Sequence, residues 1–416
     1  KISVDEFKEH FEGVTAERYE LEPERIRIAV EGACDLRQTE KAREANVMMN
    51  EEVSREEVND AMNEMKDSAP GEDAVRLRYI REACEDLKEE VIEKVQYMFE
   101  NRADRWDESL KVGLMCALFK KGDRLVKKNY RGVCLLAMGS RILARILSKR
   151  LRWWAEHMEL LDENQCGFRC GRSTADVAQI VVRMNEDVCD YRKRGEIRGV
   201  NVAEEEERPV ARLLDLEKAY PRVSKPALWM LLERYGLRGR LLDTVMDLHE
   251  TTEYKVKGWG GVSESWIPAR GLREGCSTSP ILFNIYHQAV MRQAGEARSA
   301  VGGGEVGVEW KWVPGSAFVG SKSWESGSSE VKSVRIRELL FADDTTLVGE
   351  YGEMERGVEE VKGVMRSYEE RNNEAKEEHL EFGSEEANEV RMLGSWVGAE
   401  ADARMRIKRA SGLWAK

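Results

Sequence analysis

Apolar positions first fall into a helical period at Ser54. Ser54 stands three residues before Glu57, the spacing of a capping box, and Val58, Ala61, Met62 and Met65 follow at helical intervals. The breaker cluster Ser68-Ala69-Pro70-Gly71 ends that helix. A second helix is predicted over residues 80–99, with Val91, Val95 and Met98 on one face. The preceding residues 1–50 are polar and weakly periodic. Val112–Phe119 reads as a short buried strand closed by the turn Lys120-Lys121-Gly122-Asp123, and Tyr130–Leu136 as another strand. A basic amphipathic helix follows over 142–153, then a Gly- and Arg-rich loop over 165–174 and a helix over 174–191.

Farther along, residues 210–216 form an apolar run that ends at Asp215 and Leu216. Taken alone, Asp215 is equally the last residue of a core strand, capping the next helix. Helices are predicted over 226–237, closed at Gly236, and over 281–292, just after Pro280. Residues 299–330, rich in Gly, Ser and Trp, suggest an inserted hairpin or loop. Residues 334–348 are apolar on both sides of Asp343-Asp344, as two strands joined at a tight acidic turn would be. The charged segment 369–389 looks helical, and a short strand with Gly394 inside it is predicted over 390–397. No internal repeat is evident.

Composition narrows the classes. A chain of 416 residues allows two or three lobes, and 42% apolar with 35% charged residues suggests long charged helices around a moderate core. No apolar run of about 18 residues is present, and the first residues lack the apolar core of a signal peptide. The chain does not begin with Met, so it is expected to be cut from something longer or processed. The net charge of -12 argues against a uniformly nucleic-acid-binding surface. Residues 119–152 are strongly basic, however, with Asp123 the sole acid, while acid gathers at 204–207 and 369–389. A basic groove on an acidic body is therefore expected. Eight Cys without zinc-site spacing imply buried, reduced thiols, and five scattered His disfavour a His-based metal site or nucleophile.

The chemistry lies in the acids. Two adjacent carboxylates between apolar strands are electrostatically expensive, through both burial and like charge. A divalent cation relieves both, and hard oxygen ligands suit Mg²⁺. On its own, the pair is also compatible with a hydrated hairpin turn. A third acid from another strand, for which Asp215 is the natural candidate, would complete a site for two metals about 3.5–4 Å apart and in-line phosphoryl transfer.

Seven segments then match one family in order. Asp215-Leu-Glu-Lys-Ala-Tyr220 resembles motif A of reverse transcriptases, residues 271–284 (Gly-Leu-Arg-Glu-Gly-Cys-Ser-Thr-Ser-Pro-Ile-Leu-Phe-Asn) motif B, and Phe341-Ala-Asp-Asp344 motif C. Ser68-Ala-Pro-Gly-Glu-Asp73, Lys120-Lys-Gly-Asp123 with Asn129-Tyr-Arg-Gly132, Gln165-Cys-Gly-Phe-Arg-Cys-Gly-Arg-Ser-Thr174 and Arg391-Met-Leu-Gly-Ser395 are similar to further elements of the non-LTR (LINE-type) retrotransposon branch. The resemblance covers residues 51–410.

It implies an α+β right-hand polymerase with helical and β fingers, an antiparallel-sheet palm and a truncated thumb. The expected divisions are an N-terminal extension (1–50), fingers (51–200), palm (201–398, with the insertion 299–330) and the start of a thumb (399–416). The implied activity is RNA-directed DNA polymerisation in target-primed reverse transcription, with RNA template, DNA primer or target DNA, and dNTPs. Two Mg²⁺ ions, replaceable by Mn²⁺, would be held by Asp215 and Asp343 with Asp344 in support. Tyr220 would exclude a 2′-hydroxyl. Lys120, Lys121 and Arg131 would grip the triphosphate, and Gly275 would shape the nucleotide pocket. Arg169, Arg172, Leu393 and Gly394 would bear on template or primer, and Lys376 would protonate pyrophosphate. The family further implies nuclear localisation and an endonuclease in a longer parent chain, with no membrane association. Glu274 stands where motif B commonly has Gln, and Pro221 where motif A often has Asp. A group II intron maturase-like enzyme and an inactive remnant that only binds nucleic acid are the alternatives.

Overall fold

A computed structural model of the chain describes residues 2–15, 19–194, 209–302, 306–312, 332–382, 390–392 and 395–397. Helices and sheets are mixed. The strands, in chain order, are β1 (Val112–Phe119), β2 (Tyr130–Leu136), β3 (Pro209–Asp215), β4 (Glu253–Gly258), β5 (Gly261–Val262), β6 (Val308–Trp312), β7 (Lys332–Ile336), β8 (Glu338–Phe341), β9 (Asp344–Glu350), β10 (Glu378–Glu381), β11 (Val390–Met392) and β12 (Ser395–Val397). Two compact units result. The first comprises Lys1–Leu161, Lys218–Ala289 and Ser367–Glu369; the second comprises Asp162–Glu217, Val290–Arg366 and Glu370–Lys416.

The first unit is built on a sheet of order β2-β1-β4-β5. β1 and β2, both expected as strands, form an antiparallel pair from Gly113↔Leu136 to Phe119↔Tyr130. The helix Met138–His157 extends past both predicted ends and buries Ile142, Leu143, Ile146, Leu147, Leu151 and Trp154. Each such side chain contributes roughly 1.5–3 kcal/mol of burial. Ser54 and Glu57 form both bonds of the predicted capping box at the helix Arg55–Glu64. The continuous helix expected over 80–99 is instead two, Leu77–Arg81 and Glu85–Glu100. Arg81 at the break donates to the carbonyls of Asn63 at 3.0 Å and Met65 at 2.7 Å, tying the first piece to the end of the preceding helix.

The weakly periodic N-terminal segment also folds, into the helices Val4–Thr15, Pro23–Glu31 and Glu40–Met49. Their signals are local: Pro23 opens one helix, and the Thr39 side chain accepts the Ala42 N–H to cap another. Phe7 packs edge-on to Tyr130 of β2 at 4.9 Å.

In the second unit β10-β3-β9-β8 form an antiparallel sheet. Val177, Val181, Met184 and Val188 of the helix Thr174–Arg194 join Ala211, Leu339, Val348 and Leu380 in one buried cluster. The helix Tyr351–Ser367 follows β9 and supplies Glu353, which Arg298 meets at 2.5 Å. Arg298 also donates to the carbonyls of Arg337 and Val348 at 3.2 Å, so its buried charge is well satisfied. β6 and β7 pair as an antiparallel ribbon.

Two expectations are corrected here. The charged stretch 369–389 is not helical over its described residues; it holds the short 3-10 turn Glu374–Lys376 and strand β10, which pairs with β3. Nor is 390–397 one strand. β11 and β12 pair with each other, Val390 opposite Val397.

Candidate active site

The acidic site grows from the register of the second unit's sheet. β3 and β9 run antiparallel from Pro209↔Glu350 to Asp215↔Asp344, so the last residue of one strand faces the first residue of the other. Asp343 is in the two-residue turn between Phe341 and Asp344 that joins β8 to β9. Like charges directly opposite in a ladder repel. Asp344 shows the consequence: desolvation first, then Asp343 and Asp215, push its carboxyl up to about 6, with Lys376 opposing. Asp344 keeps an exposed surface, so crowding by protein on one side, rather than enclosure, is the desolvating influence.

Lys376 reaches this site by an interruption in pairing. Asn373 N–H donates to the Asp215 carbonyl at 2.7 Å, and pairing with β3 resumes at Glu378↔Leu213. The residues between loop out as the 3-10 turn, and Lys376 Nζ donates to Asp215 Oδ2 at 2.6 Å. Among the described residues no three Asp, Glu, His or Cys side chains converge on a common metal position as they stand. The donor set nevertheless fits a hard divalent cation: three aspartates lie at one strand end, and Asp343 and Asp215 add to the burial that raises the proton affinity of Asp344.

The loop 165–174 holds the acidic turn from one side. Cys166 N–H donates to the Leu340 carbonyl at 2.8 Å, and Leu340 N–H to the Asn164 carbonyl at 2.9 Å. Arg169 turns onto its own loop, donating to the carbonyls of Asp162 at 2.6 Å and Gln165 at 3.2 Å. Arg172 pairs with Glu163.

The remaining candidates lie in the first unit. Tyr220, in the short helix Ala219–Arg222, stacks on Phe283 with ring centroids 5.1 Å apart. Its carbonyl accepts the Leu272 N–H at 2.8 Å, and Val223 accepts that of Gly271 at 3.0 Å, tying two motifs together. Gly271 has φ +89°, and a Cβ there would lie 2.7 Å from Pro221 backbone atoms. Gly275, at φ +107°, would meet the Cys134 carbonyl at 2.7 Å, so neither position admits a side chain without a shift. Between them, Glu274 is fixed by its carbonyl, which accepts the Cys134 N–H at 2.7 Å, and its Oε2 meets Arg131 Nε at 2.9 Å. Lys120 and Lys121 are exposed at the end of β1, with Lys120 N–H donating to Asn129. Leu393 and Gly394 lie outside the described residues.

Several site residues were missed in the sequence. Gln165 and Gly167 touch the acidic turn, yet the motif drew attention to its arginines. Beneath the 271–279 loop, buried Arg273 donates to Thr252 Oγ1 at 2.7 Å, and Thr278 Oγ1 lies 2.9 Å from His249 Nε2 and 3.1 Å from Cys276 Sγ. Burial drives the His249 imidazole well below its ordinary value, so it is neutral. Arg141 and Arg145 line a cleft with Gly275, Cys276 and Ser277. Their i,i+4 spacing on a basic helix was the available signal. The described thiols are all free, but only Cys134, Cys166 and Cys276 are buried; Cys34, Cys84 and Cys170 are exposed, contrary to expectation.

Comparison with known proteins agrees with the motif order. The family described as reverse transcriptase (RNA-dependent DNA polymerase) matches residues 119–397. The chain is similar to the Retrovirus-related Pol polyprotein from type-2 retrotransposable element R2DM of Drosophila melanogaster, 29% identical over 36% of this chain and 12% of that protein. It is 28% identical to the corresponding polyprotein from type-1 retrotransposable element R2 of Nasonia vitripennis, over 53% of this chain and 17% of the relative. The Transposon TX1 uncharacterized 149 kDa protein of Xenopus laevis is 26% identical over 42% and 12%. The matches thus span between 12% and 17% of the relatives' own lengths. Among the described residues no helix is long and apolar enough to cross a membrane. With the family match covering most of the chain and the similar proteins being non-LTR retrotransposon products, the chain belongs to the reverse transcriptase family, as a domain of the LINE type.

Proposed function

We propose that this chain carries the nucleotidyl-transfer site of an RNA-directed DNA polymerase, which extends a DNA primer, or nicked target DNA, with dNTPs on an RNA template. The observation that carries the proposal is the facing of Asp215 and Asp344 across β3 and β9, with Asp343 beside them. Two Mg²⁺ ions, or Mn²⁺ in their place, held by Asp215, Asp343 and Asp344 would activate the primer 3′-hydroxyl and stabilise charge on the departing pyrophosphate. The sheet β10-β3-β9-β8 is then in the palm, and β1 and β2 belong to the fingers. Tyr220, its ring fixed on Phe283, selects deoxynucleotides by excluding the 2′-hydroxyl. Arg131, Lys120 and Lys121 bind the triphosphate, Gly275 shapes the wall of the nucleotide pocket, and Lys376 donates a proton to pyrophosphate. Arg169, Arg172, Leu393 and Gly394 act on template and primer. Nuclear action is the corresponding expectation.

Incorporation of dNTPs on an RNA template annealed to a DNA primer, with and without Mg²⁺, tests this. Mg²⁺-dependent extension that Asp343→Ala abolishes is expected. Absence of extension sinks the enzyme assignment, and equal extension by Asp343→Ala sinks the site. A second possibility, a palm that only binds nucleic acid, is favoured by one observation: the Glu274 carboxylate already sits on Arg131.

A further inference from the structure

The acidic turn is short and its backbone is unusual. Only Ala342 and Asp343 separate the paired residues Phe341 and Asp344, and Ala342 has φ +57°, in the left-handed region that a side chain disfavours. Such a conformation persists where the surroundings over-determine it. The surroundings here are residues 164–167. They run beside β8, with a parallel bridge between Gln165 and Leu340. The Gln165 side chain is wholly buried, and its Oε1 accepts two backbone N–H groups, Gly167 at 2.8 Å and Ala342 at 3.2 Å. Gly167 closes the contact: a Cβ there would stand 2.2 Å from the Ala342 nitrogen and 2.9 Å from the Phe341 carbonyl carbon.

The other half of the Gln165 amide is informative. Its Nε2 is buried and meets no hydrogen-bond acceptor. A buried donor without an acceptor is destabilising, whereas an apolar side chain of similar size would fill the space without stranding a nitrogen. What the amide achieves is therefore done by its oxygen, and that oxygen holds the N–H of the residue immediately before Asp343.

We propose that Gln165 is a positioning residue for the acidic turn: its amide oxygen fixes Ala342 in the left-handed conformation and thereby sets the directions of the Asp343 and Asp344 carboxylates. The inference rests on the proposal that these carboxylates hold the catalytic cations. It gives the loop 165–174 a task separate from any contact its arginines make with nucleic acid. Removing the oxygen takes the acceptor away from the Ala342 N–H, and the turn is then free to rotate its aspartates apart.

The test uses the full chain and three variants. Gln165→Leu removes the acceptor, Gln165→Glu keeps it, and Gly167→Ala pushes the turn outward through a different residue. Amide hydrogen exchange is followed in the peptide covering residues 338–346, and Mn²⁺ affinity is measured from the spin-resonance signal of the free ion. In Gln165→Leu and Gly167→Ala, exchange at the turn should rise about 10-fold or more while the helix Met138–His157 keeps its protection. Mn²⁺ should bind about 10-fold more weakly in both, the usual scale for losing a group that orients a ligand. Gln165→Glu should keep turn protection near that of the wild type. A Gln165→Leu protein with wild-type turn protection overturns the proposal, as does one with unaltered Mn²⁺ affinity despite a loosened turn. If Gln165→Leu loses protection throughout the chain, Gly167→Ala decides by the same two readings. Wild-type Mn²⁺ binding that Asp343→Ala leaves unchanged would instead refute the cation site, and turn exchange would still decide whether Gln165 holds the loop.

Discussion

The two units treat charge in opposite ways. At the end of β3 and β9, Asp215, Asp343 and Asp344 are pressed together, and Lys376, 2.6 Å from Asp215, is the cation on hand. At the end of β2, Arg131 already has its carboxylate, Glu274, at 2.9 Å. Burial first, and then the neighbouring Asp343 and Asp215, push the Asp344 carboxyl up to about 6, and the proposed cations would relieve that crowding. The cationic site already has its carboxylate, and under the proposed function a triphosphate would compete with Glu274 for Arg131. Under the proposed function, bound charge would therefore have different work to do in each: relief in one, competition in the other.

The largest effect should come from removing an acid. Asp215→Ala should lower incorporation by at least about 10²-fold, the scale on which losing one stabilising group in a transition state is felt. The metal-free protein should at the same time gain stability, since the charge facing Asp344 is gone. Loss of activity with loss of stability would mean that Asp215 is a structural partner of Lys376 and nothing more.

Tyr220→Ala comes next. The dNTP preference over rNTP should fall by about 10-fold or more, because a pocket selecting by size discriminates on the order of 1–3 kcal/mol. The protein should also lose some stability with the Phe283 stack. An unchanged preference, measured as a ratio of kcat/KM values, would reduce Tyr220 to core packing.

Glu274→Gln sharpens the other side of the comparison. Arg131 is about half exposed, so its ion pair is worth only about 0–1 kcal/mol, and the dNTP KM should fall by at most about 5-fold. A rise in KM would show that Glu274 orients Arg131 rather than competing for it.

The smallest effect is on stability against pH without metal. The folded-state value of Asp344 lies above its ordinary 3.8, so between about 4 and about 6 the folded chain keeps a proton that the unfolded chain has released. This group's contribution must therefore fall as pH rises through that window. Denaturant titrations should show a shallower decline for Asp344→Asn than for the wild type, and identical slopes would count against the crowding.

How much of this was legible depended on whether a signal was local. β1, β2, β3 and the paired strands around Asp343-Asp344 could be read from short apolar runs and turn residues, and the Ser54–Glu57 cap from spacing alone. The three acids could be read as one site because their motifs recur in a fixed order in a family. What failed was non-local. The 369–389 run has helix-forming composition, but pairing of β10 with β3 overrides it, and nothing within the segment announces that register. The same holds for Gln165, whose role depends on a partner 177 residues away. The N-terminal helices were a different failure: Pro23 and Thr39 were visible start signals, passed over because the segment is so polar.

The crowding of three carboxylates, relieved by a cation, is tested most directly by a carboxyl carbon-13 titration of the aspartates with and without Mg²⁺. The account predicts one aspartate titrating near 6 in the metal-free protein, missing from Asp344→Asn and moving to lower pH when Mg²⁺ is added. An Asp344 that titrates in the ordinary carboxylate range, or whose titration is indifferent to Mg²⁺, would contradict it.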